Sequence, residues 1–132
     1  MKKDLFRIID ANLNRSREGL RVCEEVVRFV LEDEKLTGEF KRARHSISRS
    51  IKRFPGALPE HRNTATDAGR DIVTKNGRKN YQDVFSANIQ RSKEALRVLE
   101  EFSGIFNRSL SKSFGRIRFQ VYDLEKKTIA RL

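Results

Sequence analysis

One stretch of this chain is written twice. Residues 11–26 read ANLNRSREGLRVCEEV and residues 87–102 read ANIQRSKEALRVLEEF, identical at ten of sixteen positions at a constant offset of 76. Most of the six differences are near-equivalents, such as Leu13 with Ile89 or Arg17 with Lys93. Internal self-similarity of this kind points to a structural unit used twice in one fold.

Periodicity says what the unit is. From about Leu5 to Leu31, residues placed at 100° intervals put Ile9, Ala11, Leu13, Leu20, Val22, Cys23, Val26, Val27, Phe29 and Val30 on one broad arc. Asp10, Asn14, Arg17, Arg21 and Arg28 fall opposite. After a short break at Glu32-Asp33-Glu34-Lys35, a second stripe runs through Leu36, Phe40, Ala43, Ile47, Ile51 and Phe54, and Pro55-Gly56 ends it. The plan recurs from about Tyr81 to Phe106 and from about Leu110 to Leu132. In the second helices the offset is 74, pairing Phe40 with Phe114 and Arg44 with Arg118, so two residues are missing from the second connecting turn. The repeated unit is a helical hairpin. One hairpin cannot cover both of its apolar stripes, so two should pack face to face as an all-α four-helix bundle with an approximate two-fold axis and no sheet. The expected organisation is one domain over residues 1–132: hairpin 1 at about 4–54, a connecting loop at about 55–80 and hairpin 2 at about 81–132.

That loop, PGALPEHRNTATDAGRDIVTKNGRKN, holds both prolines and three of the seven glycines. Connections this long within a compact domain are usually functional or disordered. His61, Arg62, Asp67, Arg70 and Asp71 favour an ordered segment that touches ligand.

Composition excludes several classes. No run reaches the length of a membrane span, and the apolar run near the N-terminus is too short for a signal peptide, so a cytoplasmic protein is expected. The single cysteine, Cys23, aligns with Leu99 and reads as a small buried hydrophobe, with no disulfide or cysteine metal site available. Lys and Arg exceed Asp and Glu by 29 to 18, a net charge of +11 that attracts anions, whether nucleic acid or small phosphorylated metabolites. Lys41, Arg42, Arg44, His45, Arg49, Lys52 and Arg53 crowd one helix and could follow a phosphate backbone. Aromatic residues make up only 8% and tryptophan is absent, which weighs against nucleic acid as the partner.

The two copies also keep polar residues together. Asn12, Arg15 and Ser16, repeated as Asn88, Arg91 and Ser92, fall within the apolar arc, where an unpaired charge costs several kcal/mol. In one reading these groups bridge backbone or pair with carboxylates and fix helix register. In the other, Arg15, Arg44, Arg91 and Arg118 converge on a shared pocket whose ligand phosphate supplies the counter-charge, since guanidinium forks suit bidentate phosphate contacts. A second retained set, Glu18, Arg21, Glu24 and Glu25 with Glu94, Arg97, Glu100 and Glu101, is placed on the solvent side. It suits a surface ladder of ion pairs, a subunit interface that would make a homodimer, or carboxylates that hold Mg²⁺.

Taken in order, ANLNRSREGLRVCEEVVRFVLED, KRARHSI, HRNTATDAG, DVFSANIQRSKEALRVLEEF and RIRFQVYDLE resemble the successive motifs of the alternative hydroxymethylpyrimidine phosphate kinases of thiamin biosynthesis. The resemblance covers nearly the whole chain. It implies transfer of the ATP γ-phosphoryl group to hydroxymethylpyrimidine phosphate, with ATP and Mg²⁺ required. Members are often joined to the N-terminus of thiamine-phosphate synthase, so that enzyme is the implied partner, as a separate protein or a removed portion. The roles it suggests put Arg15 and Arg91, with Asn12 and Asn88, on the substrate phosphate and pyrimidine edge. Arg44 and Arg118 would neutralise the transferred phosphate. Arg62 and Asp67 would close over the site, with Asp67 and Glu25 as metal ligands, and His45 would relay a proton or stand as a surface histidine. The family loop reads Arg-Asp-Thr, whereas Asn63 here carries no charge, which shifts any metal role toward Asp67. There is no glycine-rich P-loop, so side-chain cations must neutralise the phosphates. A noncatalytic helper of the synthase and a basic nucleic-acid-binding protein are the alternatives.

Overall fold

A computed structural model describes residues 2–56, 58–72 and 77–132. The parts of the expected connecting loop at Ala57 and at 73–76 lie outside the described residues. Four α-helices account for most of the described residues: α1 (Lys2–Phe29), α2 (Glu34–Ser50), α3 (Tyr81–Phe106) and α4 (Arg108–Ile129). Three short 3-10 turns, Ile51–Arg53, Leu58–His61 and Thr64–Thr66, follow α2. No strand occurs among the described residues.

The all-α bundle of two hairpins is therefore what the sequence folds into. α2 ends at Ser50, earlier than its apolar stripe, and a tightened turn carries Phe54 into the core. The offset of 74 has a physical basis in the caps. Asp33 and Asn107 are the N-caps of α2 and α4, accepting from the N–H groups of Leu36 (2.8 Å) and Leu110 (3.1 Å). Asn107 alone joins α3 to α4, whereas four residues separate α1 from α2, including Glu32 at a left-handed φ of 52°.

α1 and α3 form the central antiparallel pair, each covered by its own hairpin partner, and α2 meets α4 across the bundle. The approximate axis passes between Ser16 and Ser92, where Ser92 Oγ donates to the Ser16 carbonyl at 3.0 Å. Gly19 makes this approach close: a Cβ there would stand 2.2 Å from Ser92 Oγ and 2.7 Å from the Asn88 carbonyl oxygen. Further along, the Cys23 thiol donates to the Phe85 carbonyl at 3.6 Å. Burial, the largest cause, together with the Glu125 charge pushes this thiol well above its ordinary range, so Cys23 is an inert core residue. Ile9, Leu13, Leu20, Val27, Phe40, Ile47, Phe85, Ile89, Leu96, Leu99, Leu110, Phe114 and Val121 fill the interior.

Four residues are placed differently from the helical-wheel expectation. Phe29 and Val30 are exposed, at 63% and 40%, because α1 outruns the helix that covers it. Asp10 and Glu24, expected in solvent, are 6% and 3% exposed. Each is buried because a neighbouring segment brings it an arginine: Arg62 from the loop and Arg44 from α2. No described helix is long and apolar enough to cross a membrane.

Candidate functional site

The segment after α2 folds back across α1. Phe54 and Leu58 are buried, and Phe6 of α1 is ringed by Phe54, Phe106 and His61 at centroid distances of 6.3, 6.0 and 5.5 Å. This aromatic cluster seats the loop at one end of the bundle. Arg62 then grips Asp10 with both arms of its fork, Nε to Oδ2 at 2.8 Å and Nη2 to Oδ1 at 2.9 Å. Those hydrogen bonds, and then the Asp10 charge itself, raise the Arg62 pKa further above its ordinary value. Arg7 donates to the Asn63 carbonyl at 3.2 Å, and Asn63 Oδ1 caps the next turn through Thr66 N–H, also at 3.2 Å. Asp67 Oδ1 accepts from Gly69 N–H at 2.9 Å, which fixes its carboxylate at the loop's edge.

Between this strap and the helices lies a cleft of about 880 Å³. Ile8, Ala11, Val98 and Phe102 supply an apolar lining. Its polar lining includes three arginines, Arg7, Arg15 and Arg62, against four acids, Asp4, Asp10, Glu18 and Asp67, a formal charge of −1. Arg7 and Arg62 are spent on the loop. Arg15 has no hydrogen bond or ion pair among the described residues, so its fork is available.

Of the sequence-predicted residues, the cleft gathers Asn12, Arg15, Arg62 and Asp67. It does not gather the rest. Arg15 and Arg91 are both exposed, and Arg91 lines neither this cleft nor the smaller groove between α2 and α4, so the expected pocket shared by the repeated arginines does not form. The arc places Cα positions, but a long side chain at the arc's edge reaches solvent. Arg44 Nε meets Glu24 at 3.2 Å and Arg118 Nη2 meets Glu100 at 3.0 Å, so protein carboxylates answer both charges. Asn12 and Asn88 each return a hydrogen bond of 2.8 Å to the carbonyl four residues back, Ile8 and Val84. Glu25 pairs with Arg21 at 3.2 Å away from the cleft, so it does not stand with Asp67 as a metal pair. No cluster of three metal-ligating side chains occurs among the described residues. His45 is exposed and lines neither cavity.

Residues 7–127, which include all but Asp4 of the cleft lining, match the sequence model of the ThiD2 family. The chain belongs to that family. This ThiD2 chain is 40% identical over 123 residues to a thiamine-phosphate synthase of Nostoc punctiforme, a match that covers 92% of the chain and 34% of the relative. A thiamine-phosphate synthase of Prochlorococcus marinus (strain AS9601) is 38% identical over 123 residues, with the same coverage. One from Thermosynechococcus vestitus is 40% identical over 124 residues. The chain thus spans about a third of the length of these relatives. No solved structure gives a significant match.

Sequence reasoning missed the ThiD2 cleft's Asp10 and Arg7. Both differ from their counterparts in the second copy, Ser86 and Asp83, so a search for retained residues passes over them. That inequality is itself a usable signal.

Proposed function

We propose that the chain acts in thiamin biosynthesis by transferring the terminal phosphoryl group of ATP to hydroxymethylpyrimidine phosphate, and that the cleft beneath the loop holds the pyrimidine phosphate. The observation that carries this reading is Arg15, an unpartnered guanidinium on a cleft with apolar patches. A flat heteroaromatic ring suits Ile8, Val98 and Phe102, and a phosphate attached to it suits the Arg15 fork. Family membership supports the choice of reaction.

The charge balance bears on the metal. With a formal lining charge of −1, Arg15 alone answers only part of a bound phosphate's charge, which favours a cation that accompanies the ligand. Asp67 offers a carboxylate at the cleft edge, and Mg²⁺ commonly binds through one or two carboxylates plus substrate phosphates. When bound it would supply charge neutralisation for the moving phosphoryl group. In the transfer, an oxygen of the acceptor phosphate forms the new P–O bond as the bond between the γ-phosphorus and its bridging oxygen breaks, and ADP leaves. The acceptor oxygen is ionised near neutral pH, with a second phosphate pKa of about 6, so no strong general base is demanded of the protein. What remains for the protein is positioning: Arg15 orients the acceptor, and Arg62 on Asp10 keeps the loop closed against water.

Purified protein with ATP, Mg²⁺ and the pyrimidine phosphate should release ADP. Arg15→Gln should lower kcat/KM by about 10- to 100-fold, the worth of a hydrogen-bonded charge contact. Folded protein that releases no ADP above background would count against the reading. The relatives' names favour a second one, a noncatalytic partner of thiamine-phosphate synthase. Its sign would be stimulation of that enzyme with no ATP consumed.

A further inference from the structure

Between the later part of α2 and the first part of α4 runs a second groove, of about 320 Å³, which shares no lining residue with the α1 cleft. Three guanidinium groups meet in it. Arg53 donates from Nη1 to Ser113 Oγ at 3.1 Å and from Nη2 to Ser109 Oγ at 3.0 Å. Arg116 Nη2 reaches the same Ser113 oxygen at 3.2 Å, and Arg49 Nη2 donates to Ser46 Oγ at 2.9 Å. Two like charges are thus drawn onto one hydroxyl.

No carboxylate lines this groove, and none of the three arginines has an ion-pair partner among the described residues. Three arginines that bridge segments elsewhere are each given a carboxylate, Arg44 with Glu24, Arg118 with Glu100 and Arg62 with Asp10, and those that bridge through neutral acceptors, such as Arg7, do so singly. Here the fixed acceptors holding the forks are neutral hydroxyls, and three positive charges are left without an answer. The cost of their mutual repulsion is recovered when an anion enters.

We infer that this groove is a binding site for a ligand with two or more linked phosphoryl groups. One phosphoryl group carries a charge of about −1.5 to −2 near pH 7, too little to balance three guanidinium groups, whereas two linked groups supply the match. Arg53 and Arg116 converge on the Ser113 hydroxyl while Arg49 is held at Ser46, so the three forks can offer their remaining N–H groups to different oxygens of one phosphate chain. No aromatic ring lines the groove, so there is no stacking platform for a base, and recognition rests on the phosphate chain. Inorganic pyrophosphate and the tail of a nucleotide di- or triphosphate both present that chain.

Calorimetric titration of the whole protein at fixed ionic strength tests this, with inorganic pyrophosphate, ATP and inorganic phosphate as probes. Pyrophosphate should bind saturably and at least about tenfold more tightly than inorganic phosphate, and Arg53→Gln and Arg116→Gln should each weaken it by at least about tenfold. Both positions are exposed, and circular dichroism verifies that each variant folds. Arg97→Gln, which removes an equal charge from an exposed glutamate-paired arginine, should leave binding unchanged. ATP that displaces pyrophosphate identifies the nucleotide tail as a source of the chain; ATP that does not identifies free pyrophosphate. Absence of saturable pyrophosphate binding would overturn the inference. So would its survival in the Arg53→Gln/Arg116→Gln double variant, or an oligonucleotide whose binding depends on these arginines and resists displacement by pyrophosphate.

Discussion

Asp10 decides the shape of the cleft. Its side chain is buried under the loop while that of its partner, Arg62, is half-exposed, so the pair holds a surface strap to a helix without adding much to global stability. Asp10→Asn should therefore speed hydrogen exchange at the Arg62 and Asp67 amides by a factor of about two to five, the worth of a partly exposed ion pair, with little change in Tm. An equal effect at core amides of α3 would contradict this local role. The contrast with Arg15 shows what the sequence could disclose. Both copies retain Asn, Arg and Ser, and the structure uses the Asn and Ser for backbone bonds and helix contact. Retention between copies thus reports the scaffold that both halves need. Asp10, Arg7 and the loop belong to one half only, and the cleft is built from that difference.

At the scale of the element, helix ends and crossings were far more legible than sites. The boundaries of α3 follow directly from its apolar period, and the N-caps explain the offset between the second helices. Closeness of approach is not written in periodicity, and it rests on Gly19. Gly19→Ala would gain about 1 kcal/mol in helix propensity but drive a methyl group into Ser92 and the Asn88 carbonyl. Overpacking against backbone should win, for a net loss of about 1–2 kcal/mol measured by urea unfolding. A more stable variant would show that α1 and α3 can part freely. Asp33 makes a different kind of prediction. Its carboxyl is held below the ordinary carboxylate range, first by the Leu36 N–H and also by Arg131, which pairs with it. A depressed folded pKa contributes stability that is present above the unfolded value, about 4, and is lost as pH falls through the folded one. The Tm gap between wild type and Asp33→Ala should accordingly be full at pH 7 and shrink below pH 4. A gap that stays constant down to pH 2 would mean the cap acts without its charge.

For the whole molecule the duplication sets a limit on how the halves can be exchanged. The α1–α3 contact nearly pairs a segment with its own copy, Ser16 against Ser92 and Cys23 against Phe85, so each hairpin carries a surface that almost fits itself. Neither hairpin can bury its inner stripe alone, which requires a partner of some kind. The two differ at the crossing. Hairpin 1 offers Gly19, and two copies of it would meet with glycine on both sides of the axis. Hairpin 2 offers Ala95 at the same place, and two copies would press a methyl group toward the Asn88 carbonyl twice, the contact that Gly19 avoids in the intact chain. Separately produced fragments 1–56 and 77–132 should therefore combine one to one when mixed, regaining the helical content of the intact chain. Alone, fragment 1–56 should form a helical homodimer, and fragment 77–132 should remain largely unfolded. Circular dichroism and sedimentation distinguish these states. A stable homodimer of the second fragment would show that the glycine is dispensable and that the pseudo-symmetric interface tolerates either residue.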